Sequence, residues 1–300
     1  MPLDIRTTIA VAVAVIAASG AFLMMDDGGS GSVHGVDRDV YAIQVDGVTA
    51  SDANISDGTY DRFVRNLVLC TNGDATGNVR CFLDWITSME GQHIVGEEFV
   101  TLDSTDPSLI TAFDSPDPKG QTTIAIGGST SIQETMTALA EAYMEMFGFM
   151  NITITGGGSG VGASNTLNGT FDIGMCSRDL KQSEIDKGLV PKLIGVDGVV
   201  IIVNGVGLTN LTVEQIAGIY SGEITNWSQI GGIDKPIAVI SREDGSGTRE
   251  CLEDAFEEID ADWTIRSEVV KLNSTGAMIN QVNLVVGAIG YISIGKLSVM

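Results

Sequence analysis

The sequence predicts an α/β protein of two domains, on three observations. Short apolar or β-branched runs alternate with stretches whose apolar residues step by three and four. Glycine is abundant, 37 of 300 residues, and proline scarce at 6, a mix suited to many tight strand-to-helix turns. A length of 300 exceeds one ordinary domain. With 44 % hydrophobic and 18 % charged residues the chain is globular and not disordered.

Taken in order, the chain opens with residues 9–25, an uncharged apolar run at the lower limit for spanning a bilayer. Arg6 precedes it and Asp26 and Asp27 follow, which suits an N-inside orientation with the rest exported. It reads as an uncleaved anchor or a cleaved signal, with the anchor slightly favoured. Residues 28–32 (GGSGS) read as a flexible tether. A strand is expected over 66–70, then a helix on Val79, Phe82, Leu83 and Ile86. Residues 102–120 hold half of the prolines and four aspartates and read as a linker. A strand at 122–126 precedes a helix whose apolar stripe is Ile132, Met136, Leu139, Tyr143 and Phe147. Strands follow at 151–155 and 171–176. Residues 199–203 (VVIIV) form a continuous apolar run, as in a strand covered on both faces. Thr212 and Gln215 make a capping box for a helix bearing Val213, Ile216 and Tyr220. A strand at 236–240, a helix on Leu252, Ala255, Phe256 and Ile259, and a strand at 288–293 complete the pattern. Such alternation predicts mostly parallel sheets with ligands at strand C-terminal ends.

Composition excludes several functions. There are 16 Lys and Arg against 39 Asp and Glu, a net charge of -23. Nucleic acid is excluded as a partner, because that binding runs on basic patches. An anionic membrane surface is disfavoured for the same reason. The histidines are only His34 and His93, so His-based catalysis and multi-His zinc sites are not expected. Cys70, Cys81, Cys176 and Cys251 have no metal-type spacing; Cys70 and Cys81 could pair in an exported protein, but buried free thiols are the plainer reading. No GxxxxGK[ST] loop and no GxSxG elbow occurs, and no cofactor is implied.

Three turns carry the chemistry, each where a strand hands over to a helix. They are residues 127–132 (GGSTSI), 156–162 (GGGSGVG) and 242–249 (REDGSGTR). A helix N-terminus presents unpaired N–H groups and a positive dipole end, small residues admit an anion to that backbone, and hydroxyls add donors. One such turn is ordinarily only a helix cap. Three of the same kind, with Arg242 beside one, point to an oxyanion cage built from mainly neutral donors. Arg178, at the end of the 171–176 strand, is a further candidate.

Several motifs, in order, resemble PstS-type phosphate-binding proteins, the extracytoplasmic receptors of the phosphate ABC importer. They are residues 128–131 (GSTS), 156–162, 171–178 (FDIGMCSR), 219–227 (IYSGEITNW), 241–248 (SREDGSGT) and 287–291 (GAIGY). The resemblance implies a two-lobed periplasmic-binding-protein fold of type II that closes on one phosphate. It implies ligand contacts from Thr130, Ser131, Ile132, Ser159, Ser177, Arg178, Arg242, Ser246, Gly247 and Thr248. Some members place an acceptor Asp after the third-strand Ser, where this chain has Arg178. It implies no enzyme activity, and ABC permease subunits as partners. The alternatives are a receptor for sulfate, molybdate or tungstate, a phosphate-sensing module, and, more remotely, a phosphatase.

The family's closing segment, expected after the 288–293 strand, resembles residues 44–51 (QVDGVTAS), 65–71 (RNLVLCT), 88–95 (SMEGQHIV) and 99–102 instead. The expectation is a circular permutation: anchor and tether at 1–32, a displaced closing segment of lobe 1 at 40–102, a linker at 103–119, lobe 1 at 120–203, lobe 2 at 204–287, and a return to lobe 1 at 288–300. Termini of a domain commonly lie close together, so a linker of this length can join them. A monomer is favoured over a dimer that swaps residues 40–102.

Overall fold

The computed structural model describes residues 40–299, and side chains to residue 297. The expected anchor at 9–25 and tether at 28–32 lie outside the described residues. Among those described, no helix is long and apolar enough to cross a membrane.

In chain order the elements are β1 (Val40–Ala42), β2 (Gln44–Val45), α1 (Asp52–Ser56), β3 (Val64–Asn72), α2 (Gly77–Ile86), α3 (Met89–Val95) and α4 (Leu102–Thr105). Then come β4 (Thr123–Gly128), α5 (Gln133–Met146), β5 (Asn151–Gly156), α6 (Ser159–Leu167), β6 (Ile173–Cys176), α7 (Gln182–Ile185) and β7 (Leu189–Asn204). The chain ends with β8 (Asn210–Leu211), α8 (Val213–Ser221), β9 (Ala238–Arg242), α9 (Gly247–Glu257), β10 (Val270–Leu272), α10 (Thr275–Leu284) and β11 (Ala288–Ser293).

The main sheet has the order β10-β9-β11-β7-β3-β6-β4-β5, with β1 also on β7, and β2 pairs with β8 separately. Pairings among β10, β9 and β11, and among β6, β4 and β5, are parallel, as strand-helix alternation demands. The centre is antiparallel: β3 lies between β7 and β6, and β11 and β1 flank the far half of β7. This differs from the expected mostly parallel sheet. The strand expected only at 199–203 begins ten residues earlier, because polar residues such as Lys192 and Asp197 hide its first half in the sequence.

That long strand runs through both lobes. Residues 189–198 pair with β3, and 199–204 pair with β11 or β1. Two cores lie on either side. One packs Leu67, Leu69, Phe82, Trp85, Ile124, Met136, Tyr143 and Ile173. The other packs Ile43, Tyr60, Phe63, Val199–Val203, Ile216, Trp227, Phe256, Ile289 and Tyr291. The cores divide the chain differently from the expected segments. Residues 43–63 and the strand at 288–293 pack with lobe 2 and not lobe 1, because their apolar side chains face α8, α9 and β9. The chain therefore changes lobes near Phe63–Arg65, Asp197–Val199 and the end of β11, before the expected boundary at 203–204 and after the one at 287–288.

The linker is anchored on lobe 1. The Asn78 side chain donates to the carbonyls of Asp117 and Gln121 at 3.0 and 2.7 Å. Phe113 packs edge-on to Tyr143, with ring centres 6.3 Å apart, and tilts against Phe147 at 6.0 Å. All four cysteines are free thiols. Cys70 lies beside Cys176 under lobe 1 and not against Cys81.

Candidate functional site

The three glycine-rich turns meet where the lobes face each other. Each leads into a helix: Ile132 precedes α5, Gly158 caps α6 at φ 87°, and the Ser246 hydroxyl caps α9 by accepting the Arg249 N–H. Their N-terminal N–H groups and dipoles bring partial positive charge to one place. The approach depends on missing side chains. Gly128 sits at φ 137°, and a Cβ there would stand 2.3 Å from the Met175 carbonyl oxygen. A Cβ at Gly247 would stand 2.7 Å from both the Ser159 hydroxyl and the Ser177 carbonyl oxygen. Lobe 2 can therefore seat against lobe 1 at this point only as glycine.

Five hydroxyls converge there, all buried: Ser129, Ser131, Ser159, Ser177 and Thr248. Ser129 Oγ donates to Ser177 Oγ at 2.9 Å, and Ser159 Oγ lies 3.4 Å from the same oxygen. The Ser177 N–H donates to Ser159 Oγ at 3.1 Å. Across the lobes, Ser131 Oγ and Thr248 Oγ1 are 3.1 Å apart. The Gly160 N–H donates to the Gly245 carbonyl at 3.0 Å, a second tie between lobes. Of the expected ligands, Ser131, Ser159, Ser177 and Thr248 are thus brought together, with Gly247 forming the contact between them. Ile132 is buried at the head of α5, and Ser246 serves as the cap of α9. Ser129, within the first turn, is not among the expected ligands.

The arginines distribute unexpectedly. The Arg178 guanidinium turns to Glu184, with bonds of 2.9 and 2.8 Å, and to Glu250 on α9, 2.7 Å from its Nε. Burial alone would lower the Arg178 pKa, but the Glu184 hydrogen bonds and the Glu250 charge outweigh it and raise it. Lys181 reaches Glu250 as well, at 3.1 Å, so this cluster clasps lobe 1 to lobe 2 at the cleft mouth. The Arg242 guanidinium is buried and doubly bonded to Glu243, at 2.8 and 2.9 Å. Its remaining partners are Thr275 at 3.3 Å and the expected ligand Thr130 at 3.2 Å, the latter in the opposite lobe. The Arg242 backbone N–H donates to the Tyr291 hydroxyl, whose pKa burial pushes up to about 12. Neither guanidinium bonds to the five clustered hydroxyls.

A third arginine does. Arg65, at the head of β3, donates from Nη1 to Thr248 Oγ1 at 2.7 Å and Ser177 Oγ at 3.1 Å, and from Nη2 to Ser131 Oγ at 3.1 Å. Its inner edge, Nε and Nη2, bonds Asp197 Oδ2 at 2.9 and 2.6 Å. Asp197 is fully buried, and its other oxygen accepts from the Ser293 hydroxyl and the Ile294 N–H. Burial pushes its carboxyl above the usual range, against the pull of Arg65 and these donors. In the sequence Arg65 stands only within the displaced closing segment and not among the expected ligands. A signal was present: Arg65 and Asp197 are opposite charges each bordered by an apolar run, and such residues are buried only when paired.

The fold is two-lobed, and buried hydroxyls and helix N-termini meet where the lobes face each other. The family model described as a PBP superfamily domain matches residues 114–298, and the chain belongs to that superfamily. Within it, the chain is similar to the phosphate-binding protein PstS of Borreliella burgdorferi, 30 % identical over 177 residues, covering 57 % of this chain and 63 % of that one. A crystal structure of a phosphate-binding protein of a phosphate ABC transporter from Streptococcus pneumoniae TIGR4 superposes with a TM-score of 0.53 at 30 % identity, covering 64 % of this chain and 72 % of that one. One from Clostridium perfringens, described as a phosphate ABC transporter substrate-binding protein with bound phosphate, does so with a TM-score of 0.52 at 41 % identity, covering 57 % and 70 %. The chain thus spans less than two thirds of the length of the Borreliella relative. Residues 40–113 lie ahead of the family match, yet they contribute β3 and Arg65.

Proposed function

We propose that this chain is an extracytoplasmic receptor that encloses inorganic phosphate between its lobes and delivers it to the permease subunits of an ABC importer. The observation that carries the reading is the convergence of five buried hydroxyls with three helix N-termini at the lobe boundary. The enclosure favours a small free anion over a phosphate ester, because a substituent would have to pass buried groups that already touch across the lobes. Phosphate fits better than sulfate for a second reason. At neutral pH phosphate keeps a proton and needs an acceptor as well as donors, and a hydroxyl can serve as either. Hydrogen bonds to a charged group contribute about 1.5–3 kcal/mol each, so a handful suffice despite the acidic surface. The names of the relatives agree with this reading.

Binding and release require a receptor and no chemical step, so the chain is read as a non-enzyme. The position of β3 between β7 and β6 supports the circular permutation, since an N-terminal segment supplies a central strand to the sheet that the rest of the chain builds. A monomer, in which residues 40–102 complete their own chain, is the expected state, and light scattering checks it. Calorimetric titration of the full chain with phosphate, sulfate and molybdate tests the ligand. Saturable heat from phosphate at far lower concentration than from the other two is expected; preference for sulfate or molybdate would replace phosphate, and no heat from any would end the receptor reading.

A further inference from the structure

We propose that Arg65, carried by the segment ahead of the linker, is the guanidinium that binds the anion, and that Asp197 is its positioning residue. The proposal rests on the receptor reading above and assigns its charged contact.

Three arginines surround the site, and their partners separate them. Arg178 has both Nη groups on Glu184 and its Nε against Glu250. Arg242 has Nε and Nη2 on the two oxygens of Glu243. Arg178 thus has all three of its nitrogens against carboxylates, whereas Arg242 keeps Nη1 and Nη2 in reach of Thr275 and Thr130 and not of the five clustered hydroxyls. Arg65 divides its edges as Arg242 does, but its outer edge meets the clustered hydroxyls. Its carboxylate bonds lie on one edge, and Nη1 and Nη2 extend from the other to Ser131, Ser177 and Thr248. Those three hydroxyls come from three different turns, after β4, after β6 and after β9. Arg65 is the side chain in hydrogen-bond contact with all three.

The chemistry suits a tetrahedral anion. The outward edge offers parallel N–H donors in the fork geometry that matches an oxyanion. A hydroxyl can rotate away from the guanidinium to donate to the same anion. The position also uses the charge fully. Arg65 is buried beside Asp197, which accepts two bonds from it and one each from Ser293 and Ile294, so the pair is neutral and pre-ordered before an anion arrives. Asp197 fixes the plane of the guanidinium through two bonds on a single oxygen, leaving the opposite edge aimed at the cage. Because β3 holds Arg65 and β7 holds Asp197 in direct register, the strand pairing sets this geometry.

The test is titration of the full chain with inorganic phosphate, alongside thermal melting. Arg65→Lys keeps the charge but not the fork, and its affinity is expected to fall at least tenfold. Arg65→Met alone would strand a buried carboxylate, so the decisive variant is Arg65→Met with Asp197→Asn. It is expected to melt cooperatively and to bind phosphate at least a hundredfold more weakly, while Arg242→Gln loses less than Arg65→Lys. Asp197→Asn is expected to weaken binding several-fold with Arg65 in place and to change little in the Arg65→Lys background, since a purely structural role would cost the same in both. A folded double variant that binds phosphate within twofold of the native chain overturns the assignment to Arg65 while leaving the receptor intact. Equal loss from Asp197→Asn in both backgrounds overturns its positioning role. If the native chain itself binds no phosphate, the receptor reading fails and Arg65's role with it.

Discussion

The two parts of the chain on either side of the linker contribute to the site in different currencies. The body from β4 to β11 supplies neutral groups: three helix N-termini and the five hydroxyls, four of them in the glycine-rich turns and Ser177 just after β6. The segment ahead of the linker supplies a strand and one guanidinium. The neutral part is assembled locally, turn by turn. The charged part exists only when β3 pairs with β7, across 132 residues of sequence. The comparison teaches that the body can shape a cage by itself, while the charge within it depends on the sheet closing around an N-terminal strand.

The largest effect should come from the contact that lets the lobes meet. Gly247→Ala places a methyl group 2.7 Å from the Ser177 carbonyl, which is backbone and cannot swing away. Overpacking of this kind costs about 1–3 kcal/mol, and here the cost falls on the closed form alone. Phosphate affinity should drop by roughly 10- to 100-fold with little change in melting temperature. Calorimetry and a melting curve check both halves. A large loss of stability would mean the glycine serves lobe 2 itself and not the meeting of the lobes.

Next comes the hydroxyl that joins the two contributions. Thr248→Val keeps shape and removes the oxygen that Arg65 reaches at 2.7 Å and Ser131 at 3.1 Å. Losing a hydrogen bond to a charged group costs about 1.5–3 kcal/mol, so affinity should fall by about tenfold or more. Ser246→Ala, which strips only the α9 cap, should instead lower stability by about 1 kcal/mol and affect affinity less. If the two variants behaved alike, the distinction between ligand hydroxyl and capping hydroxyl would not hold.

How far the sequence revealed each part follows from the same contrast. The turns were readable because glycine, serine and the following helical stripe lie next to one another, and the structure joins Ser131, Ser159, Ser177 and Thr248. Helix positions were close as well: the stripe from Ile132 to Phe147 became α5, and Thr212 with Gln215 does form a capping box. Long-range facts were not readable. The first half of β7 was hidden by polar residues that face β3 and its flanks. The orientations of Arg178 and Arg242 are set by Glu250, Glu184 and Glu243, and no motif encodes which carboxylate an arginine will choose. The lobe boundaries shifted for the same reason, since residues 43–63 are assigned by what they pack on and not by their order.

A smaller effect is expected at the clasp. Glu250→Gln removes the carboxylate that Arg178 and Lys181 share across the cleft. Arg178 keeps both of its Glu184 bonds and the Lys181 partner is exposed, so the loss should stay near the about 0–1 kcal/mol of solvent-reached pairs, and affinity should change by no more than roughly fivefold. The change should appear as faster release, because the clasp exists only with the lobes closed. Stopped-flow displacement of bound phosphate measures it. A slower association rate with release unchanged would place the clasp in steering and not in closure.

The smallest effect separates the clasp's two carboxylates by pH. Burial pushes the Glu184 carboxyl up, but the Arg178 hydrogen bonds, the Lys181 N–H and the charges of both residues outweigh it, so its pKa lies below the ordinary 4.5. A lowered carboxyl pKa favours the folded state above the unfolded value and loses that contribution as the pH falls through the folded one. The stability difference between the native chain and Glu184→Gln should therefore be constant from neutrality down to about pH 5 and then shrink as acid protonates the folded carboxyl. Glu184 is only partly buried, so solvent screening keeps the difference below about 1 kcal/mol. Denaturant melts of the pair at a series of pH values measure it. A difference that grew with acidity would mean that Glu184 is held against its charge and that Arg178 depends on Glu250 alone, which would make the clasp between lobes, and not the bond within lobe 1, the fixed point of that arginine.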